Sequence, residues 1–180
     1  MTQEQYKRAN TVVFPVLTLI MAYVFLTLIA YIKTYPDQAT VVSYLQLFSS
    51  LAAIIVNVVV FVSKRDSHIC EYGMLGSALV VFLILRLVST TEDNCMYAFP
   101  ILFAAIVYLN MKTIILSNAV VIIANILRLI THSSNLYNGG TSGATMFVSV
   151  LVSILVGYAS IRCTRLLVQF NKENMDEIIE

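Results

Sequence analysis

The residues best placed to do chemistry in this chain are cations set inside apolar sequence. Arg86 and Arg128 occupy matching stretches, Ile84-Leu85-Arg86-Leu87-Val88-Ser89-Thr90-Thr91 and Ile126-Leu127-Arg128-Leu129-Ile130-Thr131-His132-Ser133, offset by 42 residues. A guanidinium stays charged, and its planar fork meets a carboxylate or phosphate through paired hydrogen bonds. At the centre of a bilayer such a charge costs roughly 2.5–3.5 kcal/mol on insertion scales. Near a helix end it can instead snorkel to the headgroups at much lower cost. Two readings follow. In one, both arginines are interfacial anchors, paired with Glu92 or Asp93. In the other, they converge inside a helical bundle and form an outward-facing site for a small anionic ligand. Asn125, three residues before Arg128 on the same helix face, and Lys33, at the end of the first apolar stretch, would stand behind them.

Other reactive combinations are weak. His68 and Cys70 lie two residues apart and could be imagined as a Cys–His nucleophile, as in small six-span peptide-processing proteases. No third group orients them, so they read as a solvated polar loop. His132 could sense pH beside Arg128, but reads as a loop residue. Metalloprotease, nucleophile-elbow, phosphate-loop and paired-cysteine patterns are absent, so no catalysis, metal or cofactor is expected. Cys70, Cys95 and Cys163 read as reduced thiols. Asn57, Asn118 and Asn125 are expected to join helices by hydrogen bonds rather than touch a ligand. Tyr23, Tyr44, Tyr108 and Tyr158 are the other polar residues within spans, and those near span ends serve as interfacial residues, since tryptophan is absent.

These residues sit in a chain that water cannot solvate as a folded unit. Of its 180 residues 59% are hydrophobic and 12% charged, against roughly 45–50% and about 25% in ordinary soluble domains. A net charge of +1 gives no basic surface for nucleic acid. Apolar segments separated by short polar punctuation predict six membrane-spanning helices, about Val12–Ile32, Val41–Val62, Tyr72–Ser89, Met96–Asn110, Thr113–Thr131 and Ala144–Leu167. The first lacks a small-residue cleavage site and reads as a span, not a signal peptide. The fourth is short and contains Pro100. Only Asn110-Met111-Lys112 separates it from the fifth, which predicts a tight helical hairpin. The fold expected is an all-α six-helix bundle, arranged as three tandem hairpins if the matched arginine stretches mark a repeat. Lys7, Arg8, Lys64, Arg65, Lys112, Arg162, Arg165 and Lys172 fall on one side, and Lys33 alone on the other. By the positive-inside rule both termini are cytoplasmic.

After the sixth span the chain continues as Arg162-Cys163-Thr164-Arg165-Leu166-Leu167-Val168-Gln169-Phe170-Asn171-Lys172-Glu173-Asn174-Met175-Asp176-Glu177-Ile178, with nothing to break a helix. Val168, Asn171, Met175 and Ile178 begin a heptad-like seam, so residues 169–180 read as the start of a cytoplasmic coiled-coil extension of a membrane domain over 1–168. The stretch from Leu167 to Ile178, the opening Gln3-Glu4-Gln5-Tyr6-Lys7-Arg8-Ala9-Asn10 and the six-span layout together resemble the membrane sensor region of clostridia-type methyl-accepting chemotaxis proteins. The resemblance implies a receptor input module of a bacterial inner membrane, homodimeric through its last helix, which passes a stimulus to a cytoplasmic signalling region. That family's signalling hairpin is not in this sequence, and the resemblance brings no ligand residues with it. A small six-span substrate-binding transport component and a structural membrane protein without ligand are the rival expectations.

Overall fold

The computed structural model describes residues 2–88, 93–132 and 141–179. Among them are six α-helices and no strand: α1 Gln3–Thr34, α2 Val41–Lys64, α3 His68–Val88, α4 Ala98–Val107, α5 Met111–Thr131 and α6 Thr141–Ile179. Local sequence explains the boundaries. Thr2 and Gln5 form a reciprocal capping box at the start of α1, the Gln5 side chain accepting from the Thr2 N–H at 2.8 Å. Pro36 opens a 3-10 turn after α1 and keeps that helix from continuing. Pro100 falls in the first turn of α4, where its missing N–H leaves no intrahelical bond unmade. Asn110 caps α5 by accepting from the Lys112 N–H at 3.1 Å.

Contacts between helices fix their directions. Glu71 meets Thr113, and Arg86 meets Arg128: both indices rise by fifteen, so α3 and α5 run parallel. Asn118 meets Ser160 while Asn125 meets Ser153, one index rising as the other falls, so α5 and α6 are antiparallel. The same test makes α1 antiparallel to α2 (Phe14 stacks on Phe61, and Thr11 meets Arg65) and to α4 (Tyr23 beside Tyr97, Asn10 meets Tyr108). Gly73 lies beside Val60 and Ser77 bonds Asn57, so α2 and α3 are antiparallel too, and consecutive helices alternate in direction. One end of the bundle collects the start of α1, the α2–α3 and α4–α5 junctions and the end of α6, bringing together Lys7, Arg8, Lys64, Arg65, Lys112 and Lys172. We refer to it as the basic end, and to the opposite one as the far end.

Helix α3 lies at the centre, in contact with α1, α2, α4 and α5, while α6 packs chiefly on α5 and more sparsely on α4. Among the described residues five helices are long and apolar enough to cross a membrane. Their outward faces carry exposed Leu19, Leu26, Phe48, Ile55 and Leu155, a surface suited to lipid rather than water. The fourth predicted span differs. Its helix covers ten residues after a 3-10 turn at Asp93–Tyr97, and ends because Leu109 adopts a left-handed conformation (φ 51°). A tight turn there returns the chain into α5, with α4 and α5 packed side by side.

Candidate functional site

Two buried polar clusters occupy the two ends of the bundle. At the far end Arg86 is 0% and Arg128 1% exposed. The Arg86 Nε donates to Asn125 Oδ1 at 2.6 Å, and the Arg128 Nη1 donates to the backbone carbonyl of Arg86 at 3.1 Å. The Asn125 Nδ2 donates to Ser153 Oγ at 2.8 Å, and that hydroxyl donates to the Ser149 carbonyl at 2.7 Å. The chain of bonds therefore passes from α3 through α5 to α6. The interfacial-anchor reading is corrected: both guanidinium groups point into the bundle. Parallel helices supply the reason. The C-terminal ends of α3 and α5 meet at the far end, each presenting carbonyls without intrahelical partners and a partial negative charge. Arg86 and Arg128 lie in those last turns, where a cation is favoured, and Arg128 bonds one of the α3 carbonyls.

Not every expected residue joins this cluster. Lys33 is exposed on the last turn of α1 and takes no part. Glu92 and the Asp93 side chain lie outside the described residues, so their pairing with the arginines is not described either. His132 makes a 2.9 Å contact with the neighbouring Thr131 hydroxyl. The His68–Cys70 pair is not assembled: Cys70 is fully buried, whereas His68 packs its ring near Tyr6 and Tyr72. Among the described residues no group of acidic, histidine and cysteine side chains could hold a metal ion.

The second cluster, at the basic end, was missed from the sequence. Glu71 is 0% exposed. Its Oε1 accepts from the Thr113 hydroxyl and, at 3.2 Å, from Asn110 Nδ2, while Oε2 has no hydrogen-bond partner. Close by, the Tyr108 hydroxyl donates to Asn10 Oδ1 at 2.8 Å, and Asn10 Nδ2 donates to the Arg65 carbonyl at 2.7 Å. Together these bonds hold the α4–α5 turn against α1, α3 and the α2–α3 junction. One signal could have found Glu71: it precedes Thr113 by the same 42 residues that separate the two arginines.

Between the clusters, α6 turns a stripe of small residues toward α5, made of Ser149, Ser153, Gly157, Ser160 and Thr164. Asn118 Nδ2 donates to Ser160 Oγ at 2.8 Å, and a Cβ added at Gly157 would come within 3.2 Å of Asn118 Oδ1. The expectation that Asn57, Asn118 and Asn125 join helices agrees with their contacts, Asn57 accepting from Ser77 at 2.9 Å. A cavity of about 430 Å³ opens separately at the far end between α1, α2 and α3. Its lining includes Tyr31, Gln38, Thr40, Ser43, Gln46 and Tyr97 above an apolar floor.

Fold and clusters define an all-helical bundle with several long apolar helices, as expected of a membrane protein, tied internally by buried polar networks. No family model matches the chain, and no curated protein or solved structure matches it.

Proposed function

We propose that the chain is the membrane input module of a bacterial chemotaxis-type receptor, with its basic end in the cytoplasm and three hairpins, α1–α2, α3–α4 and α5–α6, in tandem. One observation carries this reading. The hydrogen-bond chain from Arg86 through Asn125 to Ser153 ends on α6, which runs 39 residues to Ile179. A small anion competing for the Arg128 fork would loosen its bond to the Arg86 carbonyl, and the change would reach α6 through Asn125. Because both arginines are sealed, such a ligand acts only by preferring a second arrangement of α3 against α5, and shifts the equilibrium by its difference in affinity for the two. Helix α6 then transmits a displacement or rotation to whatever follows it.

The test is mechanical. With Val168→Cys as a cross-linking reporter between copies in an otherwise cysteine-free chain, Arg86→Gln should change the disulfide yield several-fold, whereas Lys33→Gln should not. Identical yields in the parent and Arg86→Gln chains would remove the coupling and the reading with it.

A further inference from the structure

We infer that the far-end cavity is a binding site for a small uncharged molecule carrying an amide, carbonyl or hydroxyl group, separate from the arginine cluster. Its volume, about 430 Å³, lies in the range of pockets that enclose small organic ligands. Among the described residues none that lines it is charged. An ion entering here would lose its hydration and find no opposite charge among the described lining residues, which favours neutral polar molecules. The floor is apolar, formed by Val24, Leu28, Leu85 and Val88, and suits a ring or short chain.

Gln46 points to a ligand rather than to an accidental gap. Its side chain lines the cavity and is 6% exposed, yet Nε2 has no hydrogen-bond partner. A buried amide left unpaired is unfavourable, and a neutral acceptor seated in the cavity would recover that loss. Two neighbouring hydroxyl groups already have partners. Ser43 Oγ accepts from the Thr40 N–H at 3.4 Å, and the Thr27 hydroxyl donates to the Val24 carbonyl at 2.9 Å. The Gln46 amide, buried and unpaired, is placed to recognise a ligand from the floor side, while Tyr31 and Tyr97 flank the opening.

Three probes of one shape separate charge from size: benzamide, benzoate and benzylammonium. Binding is measured by titration calorimetry on the whole chain in phosphatidylcholine nanodiscs, with empty nanodiscs subtracted. No signalling readout is needed, so the result stands apart from the receptor reading. The parent chain should bind benzamide at least roughly tenfold more tightly than either ion, a factor typical of one buried hydrogen bond plus a desolvation penalty. Gln46→Leu, which keeps the bulk and removes the amide, should erase most of that preference. Gln46→Glu should reverse it and raise benzylammonium binding roughly tenfold. The inference is overturned if the parent fails to bind benzamide, if it binds all three probes alike, or if the order of preference is the same in parent, Gln46→Leu and Gln46→Glu chains.

Discussion

A single carboxylate shows how much of the basic end rests on individual hydrogen bonds. Glu71 accepts two bonds on Oε1 and none on Oε2, so a neutral amide could fill its place with no bond lost. The amide side chain would keep one carbonyl oxygen for Thr113 and Asn110 and would carry no charge to bury. Glu71→Gln should therefore leave thermal stability in detergent within about 1 kcal/mol of the parent, or raise it. Glu71→Ala strands the Thr113 hydroxyl and the Asn110 amide and should cost about 1–3 kcal/mol. A loss in Glu71→Gln as large as in Glu71→Ala would mean that the negative charge itself holds the turn. Little of this was legible beforehand. Glu71 stands at the edge of an apolar stretch beside polar residues, where a solvated carboxylate and a buried one look the same. The arginines were legible as a matched pair, but anchoring and burial demand the same local sequence. Only the parallel pairing of α3 with α5 decides between them.

At the level of helices, hydropathy and prolines located five of the six elements well, because length and punctuation are local properties. For helix α4 the shortness and the tight hairpin after it were legible, but not the point at which it ends. Its apolar composition matches that of its neighbours, but it ends where Leu109, neither glycine nor proline, takes a left-handed conformation. The α5–α6 seam was also hidden, since small residues spaced by three and four in an apolar stretch gain meaning only when a partner helix is known. In a membrane such stripes let backbones approach closely where lipid gives no hydrophobic drive for helices to associate. Gly157 is the tightest point of that seam, and Asn118 already spends its amide on Ser160 and on the Ile114 carbonyl. Gly157→Ala asks Asn118 to yield a few tenths of an ångström and should cost at most about 1 kcal/mol. Gly157→Val adds bulk that the seam cannot absorb and should cost about 1–3 kcal/mol. Unfolding in detergent measures both, and a Gly157→Val chain as stable as the parent would show that α6 does not pack on α5 as closely as described.

For the whole molecule, alternation of helix direction and the gathering of cations at one end make orientation a single yes-or-no property. Lys33 closes α1 at the far end, whereas Lys172 lies beyond the apolar part of α6 at the basic end, and both side chains are exposed. The cation bias predicts that the basic end faces the cytoplasm, because translocating a cluster of Lys and Arg residues is disfavoured. In an otherwise cysteine-free chain, Lys33→Cys should react with a membrane-impermeant maleimide on intact bacterial spheroplasts, and Lys172→Cys only after permeabilisation. The reverse pattern would invert the bundle, turn the arginine cluster toward the cytoplasm and deprive α6 of any role as an output helix. Labelling of both positions from the same side would be more damaging still. An odd number of crossings separates the end of α1 from the end of α6 only if short α4 and its turn are carried through the bilayer with α5. Since α4 and α5 are joined by a three-residue turn and packed side by side, with Glu71 and Asn10 holding that turn at the basic end, the alternating arrangement requires opposite labelling of the two positions.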